Sequence, residues 1–362
     1  MYDVAIIGAG IAGASLAAEL APHARVLVAE AEAQPGYHAT GRSAAFWEEC
    51  YGGPEIVPLT LASGPYLRAH GMLSPRGALY IAREEDGAAV ERFMERFAGS
   101  GATIERLGRK ALAQRVPGVR AGWTRAIWQP SCADIDVAAL HQHYLASARR
   151  GGAELRTHAR LAAAEREGGG WTLDLGRAGE ARAAVLVDAA GAWADEVAAL
   201  AGARPLGIAP LRRTVAQLRT DPAPPLDLPL VLDLKGAFYF KPEHGRLWLS
   251  PHDETPTAPC DAAPEELDVA LAIDRLEQVV DWRVAAVERK WAGLRSFAPD
   301  RLPVYGHDPA REGFFWFAGQ GGYGIQTAPA AARLAAQLLL GRPRDAMTEH
   351  LDPALYGPAR FT

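Results

Sequence analysis

The stretch "DVAIIGAGIAGASLAAEL" (Asp3–Leu20) joins an apolar run to a run of helix-forming residues through three glycines. The apolar run predicts a buried strand and the alanine-rich run an α-helix, so Gly8, Gly10 and Gly13 fall in the turn between them. In such a turn the first glycine permits the bend, the second lets a pyrophosphate approach the backbone, and the third lets the helix pack closely on the strand. The stretch therefore predicts a dinucleotide site at a helix N-terminus.

The next segment supplies an acid at the spacing that this site requires. Residues 25–29 read as a second buried strand, and Glu30 follows it directly. A carboxylate there accepts hydrogen bonds from ribose hydroxyls and would repel a 2′-phosphate, which favours FAD or NAD over NADP. The fingerprint leaves FAD and NAD open, and a glycine turn without a ligand is the alternative.

Length and composition set the outer bounds. The chain has 362 residues, 49% of them hydrophobic and 22% charged, which predicts one large or two smaller globular domains. The net charge of −5 comes without a basic block, so nucleic acid is not an expected partner. Cys50, Cys132 and Cys260 lie far apart, which indicates neither a disulfide framework nor a metal site. No leader-like or membrane-spanning run is present, so we expect a cytoplasmic protein, with peripheral contact to the inner face of the membrane left open.

Three later segments carry the marks of a ligand site. The loop of residues 31–46 is rich in Gly, Ser, Thr and Arg, and Arg42 and Ser43 are expected to touch a pyrophosphate or a ring edge, a solvated turn being the alternative. Residues 183–202 and 313–341 each predict a strand, a small-residue turn and a helix, the last helix capped by Thr327. The three strand-to-helix turns should meet at one edge of a sheet.

An arginine interrupts the apolar stretch "WAGLRSF" (Trp291–Phe297). A guanidinium in such a run needs an anion, because leaving it buried without a partner costs several kcal/mol. That anion is either a carboxylate of the chain, with Asp300 as the candidate for an ion pair with Arg295, or the carboxylate of a ligand.

Taken together, these segments resemble the D-amino acid oxidase and glycine oxidase superfamily, and most closely its D-arginine dehydrogenase branch. The resemblance rests on "IGAGIAGAS", "QPGYHATGRSAA", "ADIDVAALHQHYL", "AAVLVDAAGAWAD", "RPLGIAPLRR", "WAGLRSFAPD" and "GFFWFAGQGGYGIQT", which run nearly end to end. It implies an α/β fold with a Rossmann-like FAD-binding domain from residues 1–73, 133–205 and 296–362. A smaller antiparallel-sheet substrate domain would come from residues 74–132 and 206–295.

The resemblance also implies a site. Arg295, Tyr51 and Tyr239 would hold a substrate carboxylate, and Arg212 would lie near the amino-acid end of the substrate. FAD would bind without a covalent bond. Relatives of the sarcosine oxidase type attach FAD through a cysteine that follows the strand holding Ser296 in this chain, and no cysteine lies nearby. Attachment through His38, which resembles the histidine attachment of dimethylglycine dehydrogenases, is disfavoured. The cofactor residues implied by the matching motifs are Gly8, Gly10, Gly13, Glu30, Arg42, Ser43, Ala44, Ala190, Gly191, Gly321, Gly322, Tyr323, Gly324, Ile325, Gln326 and Thr327, with Gly322 and Gln326 also facing the substrate.

The activity implied is oxidative deamination of D-amino acids, with oxygen or a quinone-like compound as the electron acceptor. The branch carries a glutamate where this chain has Ala78, and a histidine where it has Phe46. We therefore expect an apolar or aromatic side chain to be preferred, in a pocket lined by Phe46, Trp47 and Tyr80. A new anion for a cationic side chain, from Glu48 or Glu49, is the competing hypothesis. Other functions left open are a sarcosine- or glycine-type amine oxidase, a flavoprotein subunit of an electron relay and a plain NAD dehydrogenase.

Overall fold

The computed structural model describes all 362 residues. The helices are α1 (Ile11–Leu20), α2 (Val57–Ala69), α3 (Gly87–Phe97), α4 (Arg109–Arg115), α5 (Val137–Arg150), α6 (Ala194–Leu200), α7 (Glu266–Val279), α8 (Gly324–Leu340) and α9 (Pro353–Tyr356). The strands are β1 (Tyr2–Ile7), β2 (Val26–Ala29), β3 (Phe46–Trp47), β4 (Leu73–Pro75), β5 (Ala78–Arg83), β6 (Glu105–Gly108), β7 (Trp123–Gln129), β8 (Ala133–Ile135), β9 (Glu154–Arg156), β10 (Ala163–Glu167), β11 (Gly170–Asp174), β12 (Glu180–Asp188), β13 (Ala209–Asp221), β14 (Leu230–Asp233), β15 (Tyr239–Glu243), β16 (Arg246–Ser250), β17 (Thr255–Pro256), β18 (Arg283–Phe297), β19 (Val304–His307), β20 (Phe314–Ala318) and β21 (Gln320–Gly321).

The first sheet has a parallel centre in the order β20, β12, β1, β2, β9. Ile7 pairs with Ala29 on one side and with Asp188 on the other, so the three strands end level with one another. Their carboxyl ends therefore bring the glycine turn, Glu30 and the turn after β12 to one edge, which is where ligands bind in open α/β sheets. The α/β fold class predicted from the sequence is confirmed.

Helices α1 and α8 cover one face of this sheet, because their small residues allow close approach. Ala17 and Ala330 to Ala332 are fully buried there. Helix α8 begins at Gly324 with Tyr323 as its N-cap, so the predicted cap at Thr327 is wrong. Thr327 lies in the first turn, where its hydroxyl donates to the Tyr323 carbonyl at 2.9 Å.

The second sheet has ten strands and is antiparallel except for the β5 and β14 pair. Strands β15 and β16 form a hairpin around a turn that contains Gly245. Alternation along β15 sends Phe238 and Phe240 into the core beneath α7, and Tyr239 to the opposite face, towards the first sheet. That face forms one wall of the candidate site.

The strands of the first sheet fall within residues 1–73, 133–205 and 296–362, and those of the second sheet, apart from β21, lie almost wholly outside them. Because the two sheets draw on different parts of the chain, we propose the domain boundaries expected from the sequence. None of the helices combines the length and the apolar character that a bilayer crossing requires.

Candidate active site

An elongated cavity runs between the two sheets, from the carboxyl ends of β1 and β2 to strands β13, β15 and β18, with a volume of about 290 Å³. Of the residues expected at a cofactor or substrate, most line it. These are Gly8, Gly10, Glu30, Arg42, Ser43, Ala44, Phe46, Tyr51, Ala190, Gly191, Tyr239, Arg295, Gly321, Gly322, Gly324, Ile325 and Gln326.

The glycine turn at one end of the cavity is packed too tightly for any side chain. Gly8 has φ +102°, and a Cβ on it would lie 2.5 Å from the Ala189 carbonyl oxygen. A Cβ on Gly13 would lie 1.9 Å from the Gly8 carbonyl oxygen. Gly13 therefore does not line the cavity; it lets α1 approach β1 closely enough to aim the helix N-terminus into it.

Glu30 is held rigidly at the same end. It is 8% exposed, and its two carboxylate oxygens accept hydrogen bonds from the backbone N–H of Ala9 at 2.8 Å and of Glu32 at 3.0 Å. His141 adds a bond between its Nε2 and the Ala9 carbonyl at 2.8 Å, and burial lowers the pKa of this histidine. The fixed carboxylate keeps lone pairs available for a pair of ribose hydroxyls.

The loop after Glu30 behaves differently from the prediction. Thr40, which the sequence reasoning missed, accepts the Ile11 N–H at 2.9 Å and so occupies one free donor of α1. Arg42 borders the cavity, but its Nη1 donates to the carbonyls of Ala262 at 2.8 Å and Ala292 at 3.2 Å, and its Nη2 pairs with Asp261. Its guanidinium thus joins the loop to the second sheet, so the predicted contact with a pyrophosphate is not supported.

The turn before α8 lines the middle of the cavity with backbone. Tyr323 and Thr327 do not reach the cavity; the Tyr323 hydroxyl donates to the Arg301 carbonyl, and both residues are buried supports of the turn. The side-chain oxygen of Gln326 accepts the Glu48 backbone N–H at 3.2 Å, and its side-chain nitrogen donates to the Glu48 carbonyl at 3.1 Å. The same nitrogen donates to the Thr60 hydroxyl at 2.8 Å. Gln326 therefore fastens the segment that carries Tyr51.

Arg295 and Tyr51 meet at the far end of the cavity. The Nη1 of Arg295 donates to the Tyr51 hydroxyl at 2.8 Å, and its Nη2 donates to Glu254 at 2.5 Å. The alternative of an ion pair with Asp300 is wrong, because Asp300 binds Arg360 at 2.6 Å, and Glu254 is the carboxylate of the chain that pairs with Arg295. Burial raises the pKa of Tyr51, but the nearby guanidiniums of Arg295 and Arg213 outweigh burial and leave this pKa below its ordinary value.

The second arginine of the site is Arg213, where the sequence reasoning chose Arg212. Register places Leu211 opposite Arg295 and Arg213 opposite Gly293, so Arg213 shares a face with Arg295. Arg212 points to the other face, where it pairs with Glu265 and, at 3.0 Å, with Asp268. Alternation with Val215, which also lines the cavity, was the signal that would have selected Arg213.

Arg213 is held from behind by backbone. Its Nε donates to the Asp253 carbonyl at 2.9 Å and its Nη2 to the His252 carbonyl at 3.3 Å, whereas its Nη1 makes no hydrogen bond within the chain. Its guanidinium carbon lies 6.0 Å from the Tyr239 ring centre. Burial, together with Arg295, lowers the pKa of Arg213.

The predicted side-chain pocket is only partly formed. Phe46 lines the cavity, with its ring centre 5.5 Å from that of Tyr51 and 5.9 Å from that of Tyr239, and Val215 completes this apolar wall. The other residues expected there do not line the cavity: Trp47, Glu48, Glu49, Ala78 and Tyr80.

These residues are buried behind Phe46 with partners of their own. The Tyr80 hydroxyl donates to the Glu48 carboxylate at 2.7 Å, and the Cys50 N–H donates to its other oxygen at 3.1 Å. Burial raises the pKa of Glu48 to about 7. Glu49 is turned away, accepting the Thr103 N–H at 2.6 Å.

Comparison with known proteins places the chain among flavoproteins. The model of the family described as FAD dependent oxidoreductase matches residues 3–338. Glycine oxidase of Pseudomonas aeruginosa is 31% identical over 258 residues, 67% of this chain, which spans 65% of the length of that relative. The hydrogen cyanide synthase subunit HcnC of the same organism is 24% identical over 99% of this chain and 96% of its own length.

A solved structure shows the same fold. The glycine oxidase from Geobacillus kaustophilus superposes with a TM-score of 0.85 at 25% identity, over 98% of each chain. These matches support the superfamily and do not single out the D-arginine dehydrogenase branch.

Proposed function

The chain belongs to the family of FAD dependent oxidoreductases, which matches residues 3–338, and from that premise we propose that it oxidatively deaminates D-amino acids. The observation that carries the proposal is the contact between Arg295 and Tyr51 at the inner end of the cavity. A planar guanidinium beside a phenol is suited to a carboxylate, which it fixes in direction as well as in place.

The residues present fit FAD. The turn of Gly8 and Gly13 leaves no room for side chains, so backbone N–H groups at the start of α1 face the position of a pyrophosphate. Glu30 would bind the adenosine ribose, and the backbone from Gly321 to Gln326 would border the flavin ring. When bound, FAD supplies the two-electron acceptor that takes hydride from the substrate α-carbon.

The chain's own part in the reaction is to hold the substrate. The Tyr51 oxygen already accepts a hydrogen bond from Arg295, so its hydroxyl hydrogen is free to be donated to a substrate carboxylate. The lowered pKa of Tyr51 makes that hydroxyl a stronger donor. The unengaged Nη1 of Arg213 and the hydroxyl of Tyr239 border the same space and complete a set of donors around one carboxylate.

Besides the amino acid, the reaction consumes water and a final electron acceptor. The substrate loses hydride from its α-carbon and a proton from its amine, which forms a carbon–nitrogen double bond. Water then adds to this imino acid, releasing a keto acid and ammonia. A final acceptor, oxygen or a quinone-like compound, removes the electrons from the enzyme.

The apolar wall of Phe46 and Val215 supports a preference for apolar side chains. A second candidate is a glycine- or sarcosine-type amine oxidation. It is favoured by the closeness of Phe46 to Tyr51 and Tyr239, which limits the space beyond the carboxylate, and by the 31% identity to a glycine oxidase.

Anaerobic mixing separates the two candidates. The flavin absorbance of the purified holoprotein is followed after addition of D- or L-leucine, D- or L-phenylalanine, D- or L-lysine, glycine or sarcosine. Bleaching by D-leucine and D-phenylalanine supports the proposal, and bleaching by glycine and sarcosine alone supports the second candidate. Faster bleaching by D-lysine than by D-leucine would contradict the apolar preference, and bleaching only by L-isomers would refute the assignment of D-substrates.

A further inference from the structure

One carboxylate oxygen lies among three guanidinium groups behind the inner end of the cavity. Oε1 of Glu254 is 2.5 Å from the Nη2 of Arg295, 2.9 Å from the Nη2 of Arg301 and 3.6 Å from the Nη2 of Arg213. Arg295 and Arg213 line the cavity, and Glu254 does not. Glu254 thus approaches both cavity arginines from the side away from the substrate.

The fold keeps Glu254 in this place. The strand that follows it, β17, pairs with β13 at Leu211 and Arg212. The residue before it, Asp253, accepts the N–H of Thr214 at 2.7 Å and the hydroxyl of the same threonine at 2.9 Å. Glu254 is therefore anchored on both sides, and its side chain does not depend on the substrate for its position.

Charge explains what this anchored carboxylate does. Burial raises the pKa of Glu254, but the hydrogen bond from Arg301 and the charge of Arg295 outweigh burial and leave the pKa below its ordinary value, so the group is ionised near neutral pH. Asp253 lies 3.8 Å from the Nε of Arg213 and supplies a second negative charge. Asp253 also lies 3.9 Å from the Nε of Arg212, so its charge is shared, and Glu254 is the carboxylate whose charge offsets that of Arg295, Arg301 and Arg213 together.

We infer that Glu254 is a specificity-determining residue that restricts the site to amino acids with one carboxylate, because its charge offsets the positive charge that a second substrate carboxylate would need from these arginines. The inference rests on the proposed function, in which Arg295 binds the substrate carboxylate. Without the charge of Glu254, the same cluster would carry enough positive charge for a dicarboxylate.

The test compares two inert ligands of similar length, butyrate and succinate, by titrating each into the holoprotein and following the visible flavin spectrum. In the wild type, we expect butyrate to bind more tightly than succinate. In Glu254→Gln, the ratio of the two dissociation constants should move towards succinate by about tenfold or more. Glu265→Gln is the matched control, since its carboxylate pairs with Arg212 outside the cavity, and it should leave the ratio within about twofold of the wild type.

Two further measurements keep the inference open to refutation. Glu254→Asp retains the charge and should keep the wild-type ratio. If Glu254→Gln does not hold FAD, the titrations of the wild type decide. Equal dissociation constants of succinate and butyrate in the wild type would overturn the inference.

The outcomes also distinguish this inference from the proposed function. If butyrate binds and the ratio is unchanged in Glu254→Gln, only the role of Glu254 falls. If neither carboxylate alters the flavin spectrum of the wild type, the carboxylate role of Arg295 falls with it.

Discussion

A methyl group added at Gly322 should disable the site without disturbing the rest of the protein. A Cβ at this position would lie 2.5 Å from the Tyr51 hydroxyl, 2.8 Å from the Nη1 of Arg295 and 3.1 Å from the Arg295 Cδ. Gly322 does not have a positive φ, so alanine adds no backbone strain, and the whole effect is steric. Because Glu254 and the β18 backbone hold Arg295, the Tyr51 ring has to move, and the 2.8 Å hydrogen bond between them is lost.

The size of the effect follows from that bond. A hydrogen bond to a charged group contributes about 1.5–3 kcal/mol, so kcat/KM of Gly322→Ala should fall by about 10- to 150-fold. The measurement is steady-state oxidation of the best D-amino acid, with the visible spectrum reporting the FAD content. Gly108→Ala is the control, because a Cβ there meets nothing within 4 Å. A value of kcat/KM within threefold of the wild type, with full FAD content, would refute the reasoning.

Three other substitutions test separate parts of the structure. Arg295→Met should raise KM, or the dissociation constant of butyrate, by about 100-fold or more. Arg212→Met is the control, because the guanidinium of Arg212 lies on the other face of the strand, and it should change either constant by less than threefold. Equal effects of the two substitutions would show that Arg295 is structural. Gly13→Ala places a Cβ 1.9 Å from the Gly8 carbonyl, so the purified protein should contain little FAD, and full flavin absorbance would contradict the predicted packing. Glu48→Gln should remove a pH dependence of the free energy of unfolding. Burial raises the pKa of Glu48 in the folded protein to about 7 from an ordinary value of 4.5. The free energy of unfolding of the wild type should therefore fall by about 3 kcal/mol as pH rises through this window, and that of the variant should not. Denaturant titrations of both proteins at pH 4.5 and 8 measure the free energy of unfolding. The same change with pH in both proteins would mean that burial does not destabilise the ionised Glu48 carboxylate.

The parts of the fold that depend on local chemistry were predictable from the sequence. The glycine turn after β1 requires close packing that only glycine permits, so strand, helix and acid could be placed from their spacing. Arg295 was recognisable as a residue needing an anion because it interrupts an apolar strand.

The features that were missed depend on partners distant in the chain. Arg212 and Arg213 differ only in which face of β13 they occupy, and that face is set by the register with β18, more than seventy residues later. The hydrogen bonds of Arg42 were also hidden, because no sequence pattern reveals carbonyl oxygens at Ala262 and Ala292 within its reach, and its contact with a pyrophosphate or a ring edge stays a prediction. Likewise, Trp47 was expected in the pocket together with Phe46, but β3 is extended and sends the two rings in opposite directions.

The bond between Tyr51 and Arg295 joins residues 244 positions apart, and Gly322, against which both pack, comes later still. During synthesis, the first of these residues leaves the ribosome long before the other two. The N-terminal glycine turn therefore emerges well in advance of any surface able to position a substrate. A chain broken off before Gly322 lacks part of the enclosure around its carboxylate-binding residues, so a truncated product should bind substrate poorly however much flavin it captures. The position of Gly322 in the chain thus delays the binding of a substrate carboxylate until the segment after β20 has been synthesised.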